Sequence, residues 1–225
     1  MTLADEAQII CDELGYKLIN YEIKNAKDFE VQSRKAVAAA EKDGGVVIAA
    51  GGDGTIRGVA QEAFGKDIRF AAIPCGTFNF FARTHRIPED HIEAFRLALT
   101  GQARPVRLGQ VNGHIFLINA SLGMYAKSIR ERESRTSRYG RNRLVVILST
   151  LFSLVSDYLL LRVDLIIDKK LQTVRTPMIF IGNNALQLRN LSMDVAKCMK
   201  SDLLAVVMMR PVTKLETFRV LLRGI

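Results

Sequence analysis

The chain contains few of the residues that build disulfide frameworks or structural metal sites. Its three cysteines, Cys11, Cys75 and Cys198, are far apart and include no CxxC pair. The three histidines, at positions 85, 91 and 114, do not converge in the sequence. These absences exclude a disulfide-rich fold and give no support to a zinc site, so a reducing compartment fits best. No signal peptide precedes the first predicted helix, and we expect a cytoplasmic protein.

An uninterrupted apolar run long enough to span a membrane is also missing. A transmembrane helix needs about 20 predominantly apolar residues, and an aspartate within it is costly. The nearest candidate, Leu144–Leu161, predicts a buried or interfacial helix instead. It is interrupted by Ser149, Thr150, Ser153, Ser156 and Asp157.

Acidic residues are outnumbered, with 23 Asp and Glu against 32 Lys and Arg, which gives a net charge of +9. Much of the excess lies in residues 127–143, which we call the basic segment. Such a segment attracts anionic lipid headgroups by about 1 kcal/mol per charge near a membrane. It would attract nucleic acid as well, but no nucleic-acid-binding module is present and only Tyr139 could stack nearby. Membrane docking and a plain solvated surface both stay open, and nucleic acid is not an expected partner. The basic residues are Lys127, Arg130, Arg132, Arg135, Arg138, Arg141 and Arg143.

A glycine-rich turn follows the predicted strand Val46–Ala50. Residues 51–55 read Gly-Gly-Asp-Gly-Thr and lead into an amphipathic stretch. Glycines let backbone N–H groups approach phosphate oxygens, and the next helix presents its positive end. Asp53 can hold a divalent cation or polarise a phosphoryl acceptor, and Thr55 can donate a hydrogen bond. The alternative is a tight turn capped by Asp53 and Thr55. The pattern is neither a Walker A loop nor a dinucleotide fingerprint.

A second loop repeats this design. The predicted strand Arg69–Ile73 runs into Pro-Cys-Gly-Thr-Phe-Asn at 74–79, and a helix follows. The two loops lie about 25 residues apart. Parallel strands would bring them together at the carboxyl edge of a sheet, where open α/β sheets bind ligands. Asn79 could instead simply cap its helix.

These motifs together resemble the diacylglycerol kinase catalytic-domain family. That family includes bacterial lipid kinases and the sphingosine kinases, and it is more distantly similar to NAD kinases. The resemblance rests on Gly-Gly-Asp-Gly-Thr at 51–55, Pro-x-Gly-Thr-x-Asn at 74–79 and Phe-Ala-Arg at 81–83. Weaker matches are Asn119–Gly123, the basic segment and Gly182-Asn183-Asn184.

The resemblance implies ATP as phosphoryl donor, Mg²⁺ as cofactor and a lipid hydroxyl as acceptor, with diacylglycerol leading. The resemblance implies that Asp53 is catalytic and that it contacts the Mg²⁺ carried by the nucleotide. The alternatives are a sphingoid-base or NAD kinase of the same superfamily and a non-catalytic protein that binds a nucleotide or a lipid. The oligomeric state is not indicated, and a homodimer stays open. The implied nucleotide-binding residues are Gly51, Gly52, Asp53, Gly54, Thr55, Gly76, Thr77 and Asn79. The residues expected to face a membrane, to which the protein would bind peripherally, are Arg130, Arg132, Arg135, Arg138, Arg141 and Arg143.

Several positions depart from the family pattern. Gly58 and Phe80 stand where many members carry an acid. Of a structural magnesium site in bacterial relatives only Asp202 is left, shifted by one residue, so a metal there is doubtful. The family's first strand with its Asn-Pro loop is missing, as is the C-terminal Asp-Gly-Glu motif that supplies the expected catalytic base. We therefore expect a chain shortened at both ends and a weak or inactive catalyst.

The pattern of helices and strands predicts two domains. Over residues 1–101, alternation predicts a doubly wound parallel α/β sheet that binds the nucleotide. Over 102–225 it predicts a β-rich antiparallel sandwich on the lipid side, with a helical insertion at 123–158. The predicted helices include Ala4–Leu14, Asp28–Glu41 and Glu89–Leu99, and an early strand is Lys17–Ile23. Later strands are Val106–Val111, His114–Asn119, Val163–Ile167, Leu171–Thr176, Met178–Gly182 and Leu203–Met209.

Overall fold

The computed structural model describes residues 2–123, 160–184 and 203–211. By its internal contacts the chain forms two compact units. The first comprises Met1–Asn119 and Asn183–Leu204, and the second comprises Ala120–Gly182 and Ala205–Ile225. The predicted ranges 1–101 and 102–225, with their separate roles, stay a prediction. The insertion predicted at 123–158 lies almost wholly outside the described residues.

The first unit alternates helices and strands, as predicted. Where helices or strands were predicted over the first hundred residues and found, their ends differ by at most two residues from the prediction. The helices are α1 (Leu3–Leu14), α2 (Phe29–Asp43), α3 (Asp53–Ala63), α4 (Phe80–His85) and α5 (His91–Thr100). The strands are β1 (Val46–Gly51), β2 (Arg69–Pro74), β3 (Gly109–Val111) and β4 (His114–Phe116).

Two layers of helices enclose the parallel pair β1–β2. Alternate side chains of a strand lie on opposite faces of a sheet, so the apolar run of each strand contributes to two cores. Full burial of each large apolar side chain contributes roughly 1.5–3 kcal/mol. The helices predicted on both faces of the parallel sheet are confirmed. One core contains Val37 of α2, Val47 and Ala49 of β1, Ile56 and Val59 of α3, and Ala72 of β2. The other contains Ala7 and Ile10 of α1, Ile73 of β2, and Ala94 and Phe95 of α5.

Local sequence signals fix the ends of these helices. Thr2 and Asp5 form a reciprocal capping box at the start of α1, which satisfies two otherwise unpaired backbone N–H groups. Gly15 and Gly44 end α1 and α2 in the left-handed conformation, which glycine adopts without steric cost. Asp90 caps α5 by accepting a hydrogen bond from the N–H of Glu93.

The strand predicted at Lys17–Ile23 is wrong. Residues 16–24 lie outside regular secondary structure and pair with no strand among the described residues. Leu18 packs on the core beside α1 and α5, but Ile19 and Ile23 are exposed. The one side chain that packs, Leu18, therefore lies outside the alternating set to which Ile19 and Ile23 belong. A β-strand also requires a neighbour that pairs with its N–H and C=O groups.

Two hairpins among the described residues have tight two-residue turns. Asn112 and Gly113 join β3 to β4, and both have positive φ, 50° and 80°. In the second unit, Asp168 (φ 50°) and Lys169 (φ 66°) join β6 (Leu161–Ile167) to β7 (Lys170–Thr176). Positive φ at both central residues defines the type I′ turn, whose twist matches that of antiparallel strands.

The second unit contains β-strands in its described part, and the predicted antiparallel pairing is confirmed. β6 pairs antiparallel with β7, and β8 pairs antiparallel with β9 in a three-stranded sheet ordered β5-β8-β9. Among the described residues, no helix has the length and apolar character needed to cross a membrane. The strands are β5 (Asn119–Gly123), β6 (Leu161–Ile167), β7 (Lys170–Thr176), β8 (Met178–Gly182) and β9 (Ala205–Met208).

Candidate functional site

The two glycine loops meet where β1 and β2 end. Gly51 is the register partner of Pro74, and the backbone N–H of Cys75 donates to the carbonyl oxygen of Gly51 at 3.0 Å. The parallel ladder thus continues into the first residue of the second loop. The predicted adjacency of the loops at the carboxyl edge of the sheet is confirmed.

Close contact with the backbone of Gly52 explains the glycine at position 76. A Cβ on Gly76 would lie 2.6 Å from the Cα of Gly52, and one on Gly52 would lie 3.4 Å from the Cα of Gly76. Side chains do not fit at 2.6 Å, because the atom that would have to move is backbone. The second loop can therefore sit on the first only with glycine at position 76.

Asp53 joins the two loops through its carboxylate. Its Oδ2 accepts a hydrogen bond from the backbone N–H of Phe80 at 3.1 Å, and its Oδ1 accepts one from the N–H of Phe81 at 3.0 Å. These N–H groups begin α4 and have no partner within that helix. Asp53 is itself the first residue of α3, and no side chain caps that helix. The alternative in which Asp53 caps its own turn is therefore wrong, because its oxygens cap the neighbouring helix.

Asn79 shapes the second loop from within. It adopts a left-handed backbone conformation with φ 48° and ψ 41°, which asparagine tolerates better than most residues. Its Oδ1 accepts a hydrogen bond from the backbone N–H of Gly76 at 2.9 Å. The side chain makes no capping hydrogen bond to α4, so the helix-cap alternative for Asn79 is wrong.

Asn184 holds α4 through two hydrogen bonds. This residue is buried, and its Nδ2 donates to the carbonyl oxygen of Phe80 at 3.2 Å and to Oγ1 of Thr84 at 2.7 Å. Asn183 beside it donates to the carbonyl oxygens of Arg107 and Leu117. The sequence marked Gly182-Asn183-Asn184 only as part of the family resemblance, and a contact spanning 104 residues to Phe80 has no local signal.

The remaining residues of the first loop differ in their surroundings. The side chain of Thr55 packs on Gly51, where a Cβ would lie 2.6 Å from the threonine Cβ. At Gly54, by contrast, a Cβ would meet no atom within 4 Å. Internal packing therefore accounts for glycine at position 51 and does not account for it at position 54. Thr77 in the second loop is exposed.

Aromatic rings occupy two of the places where the family pattern has acids. A Cβ on Gly58 would lie 2.3 Å from the ring of Phe29, so α2 fills the space that a glutamate would need. Phe80 stacks on Phe78 with ring centroids 5.6 Å apart and an interplanar angle of 9°. Phe78 is 62% exposed, which leaves an accessible aromatic face on the second loop. No sequence pattern indicated a role for Phe78 itself.

Two side chains beside the loops, the Cys75 thiol and the His85 imidazole, are held in their neutral forms near pH 7. Partial burial raises the pKa of the Cys75 thiol, which opposes formation of a nucleophilic thiolate. Burial lowers the pKa of His85, whose ring packs 4.6 Å from that of Phe81. The described residues contain no group of three His, Cys, Asp or Glu side chains able to hold a metal ion. Asp202 and the arginines predicted to face a membrane lie outside the described residues.

Comparison with known proteins places this loop pair in a family. Residues 2–111 match the model of the diacylglycerol kinase catalytic domain. That segment belongs to the diacylglycerol kinase catalytic-domain family. The resemblance predicted from the two glycine loops is therefore confirmed.

Curated relatives agree with this assignment, and a solved structure is similar in fold. The diacylglycerol kinase of Bacillus subtilis strain 168 is 38% identical over 109 residues, which are 47% of this chain and 35% of the relative. A probable YegS-like lipid kinase of Cronobacter sakazakii is 37% identical over 101 residues, which are 43% of this chain and 34% of the relative. A diacylglycerol kinase structure from Bacillus anthracis strain Sterne is similar in fold, with a TM-score of 0.50 and 22% identity. That likeness covers 72% of this chain and 52% of the other.

The matches cover only part of each relative. The chain spans about a third of the length of the two curated kinases and about half of the solved structure. The sequence likeness is concentrated in the unit that contains the two glycine loops. Family membership is thus established for the loop-bearing segment.

Proposed function

We propose that the protein is an ATP-dependent lipid kinase that transfers the γ-phosphate of ATP to a lipid hydroxyl, with diacylglycerol as the acceptor. The observation that carries the proposal is the junction of the two glycine loops. Gly52 and Gly76 pack backbone against backbone there, while Gly54 beside them is open. A glycine with no internal packing role, at the start of a helix, suits the close approach of a phosphate.

The start of α3 supplies the groups that would bind the nucleotide phosphates. Its first backbone N–H groups have no partner inside the helix, and its dipole favours an anion at that end. In this proposal residues 51–55 form one wall of the site, and Gly76, Thr77 and Asn79 form the other. Asn79 acts by holding the turn through its bond to Gly76. Positioning and charge stabilisation are the main demands of phosphoryl transfer.

The residues present fit a magnesium ion that is carried by the nucleotide. Mg²⁺ at phosphoryl-transfer sites commonly takes one or two carboxylates together with substrate phosphates. Asp53 offers such a carboxylate, because each of its oxygens accepts one N–H in the structure and has capacity for a further contact. Bound there, the ion would neutralise charge on the phosphates. Asp53 itself would orient the second loop and donate electron pairs toward the site.

The likeness to lipid kinases supports a lipid acceptor, and the basic segment supports access to a membrane. Both curated relatives are named as kinases of lipids or of diacylglycerol. Seven basic residues against two acidic ones in the segment 127–143 would hold the protein peripherally on an anionic cytoplasmic membrane surface. The same segment favours a membrane substrate over a soluble dinucleotide such as NAD.

The test is transfer of label from the γ-phosphate of ATP, with Mg²⁺, to diacylglycerol in mixed micelles. Sphingosine and NAD serve as alternative acceptors in parallel reactions. Label in diacylglycerol is the expected outcome. Label in sphingosine or NAD alone would show that the protein is a kinase and that diacylglycerol is not its acceptor.

One observation favours a second candidate, a nucleotide-binding protein without catalysis. Asp53 already accepts two backbone N–H groups, and Gly58 and Phe80 replace acids of the family pattern. ATP binding measured by calorimetry, without transfer to any of the three acceptors, would favour this second candidate. Absence of both binding and transfer would reject both candidates.

A further inference from the structure

The hairpin β6–β7 presents an apolar pair at its tip. Ile166 is 75% exposed and Leu171 is 69% exposed, the two highest values for large apolar side chains in the described part of the chain. The two residues are register partners, on opposite sides of the turn at Asp168 and Lys169. Single exposed apolar residues are common on protein surfaces, but a facing pair at the tip of a hairpin forms a continuous apolar contact.

The exposure of this pair is specific to one face of the hairpin. The alternate residues Val163, Leu165 and Ile167 are partly buried, as expected for strands that have one covered face. Ile166 and Leu171 lie on the other face, where the next pairs are Asp164 with Thr173 and Arg162 with Arg175. On this face of the hairpin, the apolar pair at the tip is thus followed by a polar pair and then by a basic pair.

Positive charge surrounds the apolar pair. Residues 161–176 contain four basic side chains and two acidic ones. Lys169 and Lys170 are exposed at the turn itself. One of the acids, Asp164, accepts a hydrogen bond from Oγ1 of Thr173 at 2.6 Å. The tip therefore combines exposed apolar side chains with an excess of positive charge, the combination that binds the interface of an anionic bilayer.

We propose that the β6–β7 tip docks the protein on an anionic membrane, with Ile166 and Leu171 inserted at the headgroup–acyl boundary. Lys169 and Lys170 contact lipid headgroups in this arrangement. The choice of a membrane as partner rests on the proposed lipid acceptor and on the charge of the tip. The hairpin is separate in sequence from the basic segment 127–143.

The experiment is sedimentation of the chain with vesicles of phosphatidylcholine containing phosphatidylserine. Changing Ile166→Ser and Leu171→Ser together lowers the partition coefficient on the order of a hundredfold, because two apolar side chains no longer leave water. Changing Lys169→Gln and Lys170→Gln together lowers it by about fivefold per charge on these vesicles. On pure phosphatidylcholine the lysine variant binds as the parent does.

The matched control replaces two exposed apolar residues elsewhere. Ile9 and Val31 lie on α1 and α2 and are 48% and 51% exposed. Ile9→Ser with Val31→Ser leaves vesicle binding unchanged. Thermal unfolding of each variant confirms that it folds as the parent does.

Three results would overturn the proposal. They are a parent chain that does not bind the vesicles, a serine tip variant that binds as tightly as the parent, and a tip variant that changes only the oligomeric state. The last result would make the hairpin a contact between copies of the chain. Transfer of phosphate to a water-soluble short-chain diacylglycerol tests the proposed function separately, because that acceptor needs no membrane. If vesicle binding depends on the tip but no phosphate is transferred, the proposed kinase activity is rejected and the proposed docking surface is retained.

Discussion

Replacing Gly54 by alanine separates a ligand-binding role of the first loop from a structural one. An alanine Cβ at this position would meet no atom within 4 Å, and the backbone φ lies outside the left-handed region. The change therefore adds no clash and removes the conformational freedom of glycine near the start of α3. We expect a gain of about 0.5–1 kcal/mol in the free energy of unfolding. For a chain of this size, that corresponds to a rise of about 1–4 °C in the midpoint of thermal unfolding.

Nucleotide affinity should change in the opposite direction. If a phosphate approaches the backbone at Gly54, the added methyl group occupies part of its space, and the affinity for MgATP falls by about tenfold or more. Tenfold corresponds to about 1.4 kcal/mol of binding free energy. Calorimetric titration with MgATP measures the affinity, and circular dichroism measures the unfolding midpoint without ligand.

Gly45→Ala is the matched control, because this glycine precedes β1 at the end of the strand away from the loops. Its Cβ would make ordinary contacts, 3.7 Å from the Cα of Ala40. It should leave nucleotide affinity unchanged. A Gly54→Ala protein that binds MgATP as tightly as the parent would refute the placement of a phosphate here. A lower unfolding midpoint for that protein would show that position 54 needs glycine for structural reasons.

Three further predictions concern the residues around the loops. Asp53→Ala removes the acceptor of two backbone N–H groups, so we expect loss of phosphoryl transfer and a fall of about 1–3 kcal/mol in the free energy of unfolding. Asp53→Asn keeps one acceptor oxygen and should lose transfer with a smaller loss of stability; full transfer by it would refute a role for the charge. Gly76→Ala forces a Cβ to within 2.6 Å of the Cα of Gly52, and urea unfolding should show a loss of about 1–3 kcal/mol. An unchanged urea midpoint contradicts that reasoning. Because burial lowers the pKa of His85 below its ordinary value of 6.5, the unfolded chain binds more protons, and stability should fall as the pH drops below about 6.5. His85→Gln, which removes the ring packed on Phe81, should reduce this slope, and His114→Gln at the start of β4 should not; equal slopes for parent and His85→Gln would contradict the desolvation argument.

The parallel core could be predicted from the sequence because its signals are local. Apolar runs at β1 and β2, glycines after α1 and α2, and amphipathic spacing between them depend on residues close in the chain. The segment Lys17–Ile23 shows where this reasoning fails. Its alternation resembles that of a strand, but strand formation depends on a partner elsewhere in the chain, which a pattern of side chains does not report.

The candidate site was predictable in its location and not in its bonding. Parallel strands that end in glycine turns must bring those turns together, so the adjacency followed from topology. The bonds from Asp53 to the N–H groups of Phe80 and Phe81 span 27 and 28 residues, and they depend on how α4 is placed after its loop. The ring of Phe29 against Gly58 depends in the same way on the packing of α2. Distances of this kind are decided by tertiary packing.

The carboxylate of Asp53 makes the two loops a single cooperative unit. One loop cannot open alone, because its departure would leave either a partly buried carboxylate or two helix-starting amides without a partner. Opening must therefore involve both loops and the strand ends that carry them. The exchange rates of the Phe80 and Phe81 amide protons would then report the opening of the β1–β2 edge as a whole. A site assembled in this manner takes its rigidity from the parallel strand pair, and its geometry lasts as long as that pair does.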